Sequence, residues 1–111
     1  GNISGATPTF SMWVYRDGTS TAGDSLTVFV NTSTSLTGAT RIGAVARSRF
    51  FILPVNELLD GWYQYTFNVP STFSADTNYF LLNGTSRDGA NIYIDDLWWT
   101  KCCSVNFNRS Q

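Results

Sequence analysis

Apolar and polar residues alternate along most of this chain, in short stretches that end at turn-forming residues. Six stretches have this pattern, and all of them are rich in β-branched and aromatic residues, as strands are. Asp-Gly dipeptides and runs of Ser, Thr and Asn separate them, which is typical of turns between strands. The pattern predicts strands over residues 9–16, 25–32, 39–49, 61–69, 78–85 and 90–99.

The alternation also assigns faces to the strands. In the stretch 61–69, Tyr63, Tyr65 and Phe67 alternate with polar residues, so one face is predicted to be buried and the other wet. The stretch 9–16 has large apolar residues on both faces. It is therefore predicted to be a central strand, or a strand whose second face meets a ligand or partner.

Short strands separated by turns predict an all-β fold, an antiparallel β-sandwich of jelly-roll type with six or more strands. The chain has 111 residues, so we expect a single domain over 1–111. Pro54 interrupts the stretch 51–59, which is predicted to be a loop or a short helical turn. The alternation is lost over 100–111, which we expect to be irregular.

The composition narrows the classes of function. A net charge of −1 with 14% charged residues provides no basic stripe, so nucleic acid is not an expected partner. No apolar run approaches the roughly 18 to 20 residues that insert into a bilayer. The chain has no histidine, which removes the usual base for Ser or Cys nucleophiles and the commonest zinc ligand. Cys102 and Cys103 are adjacent, so free or intermolecular thiols are the simplest interpretation.

Several short motifs occur in a fixed order along the chain. They are Tyr-Arg-Asp (15–17), Val-Asn-Thr (30–32), Leu-Thr-Gly-Ala-Thr (36–40), Gly-Trp-Tyr (61–63), Asn-Tyr-Phe (78–80) and Ile-Asp-Asp (94–96). With these motifs, residues 10–99 resemble the MAM-like jelly-roll modules of secreted and surface-anchored bacterial proteins, especially those of Bacteroidetes. The resemblance implies a secreted or cell-surface location and a non-catalytic role in adhesion or glycan binding.

The resemblance also carries an expectation about missing strands. Modules of this kind have one or two strands before the position of Phe10, and only nine residues precede it here. An edge of the sheet is then expected to be open, and a second copy or another partner chain could complete it. The apolar segment that begins at Phe50 is a further candidate for an oligomer contact.

Asp95 and Asp96 are the most conspicuous acidic residues. Glycoside hydrolases use two carboxylates about 5 to 10 Å apart on one surface. Neighbouring residues of a regular strand project to opposite faces, so these two are not expected to flank one bond unless a bulge intervenes. We therefore predict that the chain is not an enzyme, with a glycoside-acting enzyme as a remote alternative. By resemblance the pair could hold a structural calcium ion; the alternative is that one aspartate faces solvent and the other anchors a loop.

Aromatic residues raise the question of glycans, because sugar rings stack on exposed indole or phenol rings beside polar groups. Trp62 is the first candidate, since it shares a predicted face with Gln64, and Trp98 and Trp99 are expected to fill the core. The candidate ligand-binding residues are Trp13, Tyr15, Arg47, Arg49, Trp62 and Gln64. The sequence thus favours an extracellular carbohydrate-binding module; the alternative is a structural or oligomer-forming sandwich that contacts other proteins.

Overall fold

The computed structural model describes residues 8–19, 21–73, 78–87 and 91–99 and, for the backbone alone, 104–110. These residues contain seven strands and no helix. The strands are β1 (Thr9–Arg16), β2 (Ser25–Asn31), β3 (Thr40–Ala46), β4 (Gly61–Asn68), β5 (Tyr79–Thr85), β6 (Ile94–Trp99) and β7 (Ser104–Ser110). All six strands predicted from the alternation are present, and the segment 51–59 is a loop without a helical turn.

The strands form two sheets, which pack as a β-sandwich and confirm the predicted fold class. Sheet A has the order β4-β1-β6, and sheet B has the order β3-β2-β5-β7. Pairs within the sheets are antiparallel except β5 and β7, which are parallel. The central position of β1 agrees with the apolar residues on both of its faces, because a central strand is covered on both sides or carries a site.

Most connections cross from one sheet to the other. Only β2 and β3 are joined as a hairpin within one sheet, and every other consecutive pair of strands is divided between sheets A and B. From β1 to β6 this is the pairing order of six successive strands of a jelly roll.

Strand β7 differs from the prediction, since the residues 100–111 were expected to be irregular. Residues 104–110 read Ser-Val-Asn-Phe-Asn-Arg-Ser, in which only two residues are apolar and Asn disfavours strands. β7 pairs with β5 from Tyr79 to Thr85. This pairing with a strand distant in sequence forms a strand that the local sequence does not predict. Cys102 and Cys103 lie outside the described residues.

The core lies between the inner faces of the two sheets. Phe10 of β1 and Phe80 of β5 are buried, with ring centroids 4.6 Å apart. Trp99 packs beside both, 6.4 Å from the ring of Phe10 and 6.1 Å from that of Phe80, which agrees with its predicted place in the core. The buried apolar residues of the core cluster are Phe10, Met12, Val14, Leu26, Val28, Val30, Val45, Tyr65, Val69, Phe80 and Leu82.

One end of the sandwich is closed by polar groups, which we call the polar junction: Arg16, Asp17, Arg47 and Ser48. Arg16 is fully buried at the end of β1, and Ser48 follows β3 of the other sheet. The Arg16 guanidinium donates to the backbone oxygens of Ser48 (2.8 Å) and Phe51 (3.0 Å) and to the Tyr65 hydroxyl (2.8 Å). The junction therefore ties sheet A to the chain that leaves sheet B.

Gly43 provides a test of how the two sheets fit together. A methyl group at this position of β3 would collide with the ring of Phe67 on β4. We expect Gly43→Ala to lower the free energy of unfolding by about 1 to 3 kcal/mol, because the ring has to move out of its place. Denaturant unfolding measures the loss.

Two further variants test whether the contact with the Phe67 ring causes the loss of stability. Gly61→Ala is a matched control, since its methyl would meet no atom nearer than 3.9 Å, and it should change stability by less than about 0.5 kcal/mol. In a Phe67→Ala background the cost of Gly43→Ala should shrink, because the space is already free. An equal cost in both backgrounds would contradict the proposed packing.

Candidate functional site

The outer face of sheet A carries a concentration of aromatic and polar side chains. Phe10, Met12 and Val14 of β1 point into the core, so the residues between them point outwards. The same alternation exposes Trp62 and Gln64 on β4. The outer face consists of Ser11, Trp13, Tyr15, Trp62, Gln64, Thr66, Asn68, Tyr93, Asp95, Asp96 and Trp98.

The strand register places these residues beside one another. Trp62 lies opposite Tyr15, with ring centroids 5.7 Å apart in an edge-to-face contact. Gln64 lies opposite Trp13 on the β4 side, and Asp95 lies opposite Trp13 on the β6 side. The sequence-predicted residues Trp13, Tyr15, Trp62 and Gln64 are therefore brought together on one surface.

A β-bulge changes the position of the two aspartates. Asp95 pairs with Trp13 and Trp98 pairs with Ser11, so β6 has one more residue than β1 in this interval. Asp96 has a φ of 48°, in the left-handed region that Asp adopts more readily than most residues. Its N–H donates to the Asp95 Oδ1 (2.8 Å). The expectation that the two aspartates project to opposite faces was therefore wrong, because it assumed a regular strand.

Both aspartates line one depression together with two indoles. Its volume is about 230 Å³, and its lining residues are Trp13, Trp62, Asp95 and Asp96. Trp62 is 47% exposed, and both aspartates are exposed. Within the described part of the chain, neither aspartate takes part in an ion pair. The depression thus combines apolar ring faces with unpaired carboxylates that can accept hydrogen bonds.

Arg47 is not part of this face, contrary to the prediction. It belongs to the polar junction, where its guanidinium forms an ion pair with Asp17 and its Nε donates to the Asn91 backbone oxygen (2.9 Å). The strand predicted over 39–49 ends at Ala46, so Arg47 lies after β3 and not within it. Burial and the ion pair make Arg47 a structural residue.

Arg49 is also occupied by its own neighbours. Its Nε donates to Asp60 Oδ1 at 2.7 Å, and its guanidinium lies 4.6 Å from the centroid of the Phe50 ring. These contacts anchor the loop after β3. The candidate ligand-binding residues Arg47 and Arg49 therefore each have a carboxylate partner within the chain, Asp17 and Asp60.

The sequence prediction left Trp98 and Tyr93 out of the site. Trp98 was expected in the core but is 57% exposed, because the bulge turns Leu97 inwards and Trp98 outwards. Tyr93 is 51% exposed, and its backbone oxygen accepts a hydrogen bond from the Tyr15 N–H (3.0 Å). A signal for the bulge does exist in the sequence: the core-packed residues Ile92, Ile94, Leu97 and Trp99 are spaced by two, three and two.

The described residues provide only part of a calcium site. None of them forms a cluster of three or more His, Cys, Asp or Glu. Calcium takes six to eight oxygen ligands, and Asp95 and Asp96 supply two carboxylates, one of which already accepts a backbone N–H. These two residues alone do not make a closed calcium site, and calcium binding here stays a prediction.

The bulge also removes the geometric argument against catalysis, since both carboxylates line the same depression. A different argument takes its place. The general acid of a glycosidase lies in an apolar pocket that keeps it protonated, whereas Asp95 and Asp96 are both exposed to solvent. Neither carboxylate has the apolar surroundings that a glycosidase gives its general acid.

Comparison with protein-family models, with curated proteins and with solved structures found no match to this chain. The described residues also include no helix that is long and apolar enough to cross a membrane. The chain is thus a β-sandwich by its structure, and its resemblance to MAM-like modules stays a prediction.

The ion pair between Arg47 and Asp17 can be tested by lowering the pH. The hydrogen bond from Arg47 is the main cause that lowers the pKa of Asp17 to about 2 from its ordinary value of 3.8. The stability that this ion pair contributes is therefore present above about pH 4 and is lost as the pH falls towards 2. The melting temperature of the wild type should drop over this interval more steeply than that of Asp17→Asn, which has no carboxylate to protonate.

Asp60→Asn is the matched control for this experiment. It removes the partner of Arg49, and the Asp60 side chain is 49% exposed, so the pair is expected to add little stability. Its melting temperature should follow the wild-type profile between pH 4 and 2. Parallel profiles for the wild type and Asp17→Asn would contradict the role assigned to the buried pair.

Proposed function

We propose that this protein is a non-catalytic carbohydrate-binding module and that the outer face of sheet A is its binding surface. The observation that carries the proposal is the depression where two indoles and two exposed carboxylates meet. Large aromatic side chains are normally used to fill a small core, so their exposure on a sheet needs a reason.

The chemistry of the face suits a sugar ring. A pyranose has an apolar C–H face, which stacks on an indole, and hydroxyl groups at its edge, which need hydrogen-bond partners. Asp95 and Asp96 offer acceptors beside the rings of Trp13 and Trp62. Gln64 is exposed opposite Trp13 and adds an amide, which both donates and accepts.

The rigidity of the face also supports binding. Trp13 and Tyr15 lie on the central strand of sheet A, whose other face is packed in the core. Trp62 is held by its contact with Tyr15. A surface built on strands loses little conformational entropy when a ligand binds, so weak stacking contacts can add up to measurable affinity.

A secreted or cell-surface location is part of the same proposal. Its basis is the resemblance to MAM-like bacterial modules, for which adhesion or glycan binding is the implied role. A glycan-binding face on such a module would attach it to a polysaccharide outside the cell.

Substitution of Trp62 tests the proposal. We expect Trp62→Ala to abolish retention on neutral polysaccharides in affinity electrophoresis, because it removes one of the two indoles of the depression. The melting temperature should fall only slightly, since the lost edge contact with Tyr15 is worth roughly 0.2 to 1 kcal/mol. Phe50→Ala is the matched control, because Phe50 is 50% exposed but lies in the loop after β3.

Retention of Trp62→Ala at the wild-type level would reject the outer face as the binding surface. A large loss of thermal stability would instead assign Trp62 to the core. Measuring the melting temperature with calcium and with a chelator shows whether the metal binds, since a ligand of the folded state raises its apparent stability.

A second candidate function, protein contact, rests on the loop 50–59. Ile52 and Leu58 are each 81% exposed, and Leu59 is 73% exposed. The loop backbone is nevertheless fixed, since Ala46 N–H donates to the Leu53 oxygen (2.9 Å) and Glu57 N–H to the Arg49 oxygen (2.8 Å). A fixed loop with exposed aliphatic side chains is typical of a surface that contacts another protein, including a second copy of this chain.

Sedimentation velocity tests this second function. If the loop joins two copies, the wild type should form dimers at high protein concentration, and Ile52→Ser with Leu58→Ser should be monomeric. These side chains contact solvent in the single chain, so the double variant should keep its melting temperature. Leu36→Ser, at a 39% exposed residue outside the loop, is the control. A wild type that is monomeric at all concentrations would reject self-association.

A further inference from the structure

We propose that the outer face binds an extended, neutral polysaccharide along a diagonal row of three tryptophans, Trp62, Trp13 and Trp98. This inference rests on the proposed carbohydrate-binding function and adds the form and charge of the ligand.

The register defines the row. Trp62 lies opposite Tyr15, two residues beyond Trp13 along β1, and Trp98 lies opposite Ser11, two residues before Trp13. Each outer tryptophan is therefore a diagonal neighbour of Trp13, at about 7 to 8 Å. The three residues lie on one line across β4, β1 and β6, with about 15 Å between its ends.

The length of the row of tryptophans indicates that the ligand is a polysaccharide rather than a single sugar. One ring can stack on one indole, and two further indoles remain exposed along the same line. Trp62 is 47% exposed and Trp98 is 57% exposed, so both ends of the row are accessible. Successive rings of an extended polysaccharide can occupy several of these positions at once, and linked contacts raise affinity more than a single contact does.

The charge of the face indicates a neutral ligand. Asp95 and Asp96 are exposed near the middle of the row, and the described residues of the outer face include no Lys or Arg. A chain of uronic acids or sulfated sugars would be repelled by these carboxylates, and no cation among the face's described residues would offset the repulsion. Neutral hydroxyl groups, in contrast, can donate hydrogen bonds to them.

The polar residues on the β4 side of the row fit the same ligand. Thr66 and Asn68 are exposed, and the Thr66 hydroxyl is 2.7 Å from that of Ser11. These groups border the row on one side, while Tyr93 borders it near its Trp62 end. A polysaccharide lying along the tryptophans would thus have hydrogen-bond partners at its edge.

The experiment begins with affinity electrophoresis of the whole chain in gels of neutral β-linked polymers (a glucan, a xylan and a mannan) and of acidic ones (alginate and polygalacturonate). Calorimetric titration then uses the disaccharide and the hexasaccharide of the polymer that retains the protein most strongly. We expect neutral polymers to retain it and acidic ones not to, and the hexasaccharide to bind at least about tenfold more tightly than the disaccharide.

Trp98→Ala tests the row itself, because Trp98 lies outside the depression between Trp13 and Trp62. It should weaken hexasaccharide binding about tenfold and leave disaccharide binding nearly unchanged. Trp98→Tyr should restore most of the lost affinity, since a phenol ring also stacks on sugars. Unchanged melting temperatures of both variants confirm that they are folded.

The outcomes separate this inference from the proposed function. If no polymer retains the protein, the carbohydrate-binding function itself is rejected. If a neutral polymer binds but the disaccharide and hexasaccharide bind equally, or Trp98→Ala binds the hexasaccharide like the wild type, the face is a single-sugar site and the row is rejected. Preferential retention by alginate or polygalacturonate would reject the neutral ligand.

Discussion

The buried guanidinium of Arg16 constrains the rest of this sandwich. A cation taken out of water is strongly destabilising unless oxygen atoms surround it. Here backbone oxygens after β3, from Ser48, Phe51 and Val55, accept its hydrogen bonds together with the Tyr65 hydroxyl. The chain that leaves sheet B must therefore return to the end of β1.

Burial is also the main cause that raises the pKa of Tyr65 to about 12, so its hydroxyl stays neutral and donates to Glu57 (2.6 Å).

This arrangement separates the residues of β1 that stabilise the fold from those that belong to the outer face. In β1 the inner residues Phe10, Met12 and Val14 lead to Arg16, and all four are buried. Trp13 and Tyr15 alternate with these residues and have no part in the polar junction, and their half-buried rings lie on the outer face. Residues of the outer face can thus vary while the inner face keeps the fold, and a surface built on such a strand is rigid.

The features that the sequence predicted correctly depend on local information. Alternation over seven or eight residues gave the strands, the inward aromatics of β4 and the shared face of Trp62 and Gln64. The features it missed depend on partners distant in the chain. Arg47 is buried because Asp17 lies beside it, thirty residues away in sequence. Strand β7 is ordered by β5, with which it pairs only after the chain has passed through sheet A.

The bulge at Asp96 is a local feature with a wider effect. Its one extra residue determines which side chains at the end of β6 face the core and which face outwards. In a regular strand, Asp95 and Trp98 could not face the same side, since they are three positions apart. With the extra residue, Leu97 and Trp99 reach the core while Trp98 joins Trp13 and Asp95 on the outer face. Bulges often occur beside functional sites, where they redirect a side chain. A polar residue in the left-handed conformation thus makes an apolar strand end one side of the proposed binding surface.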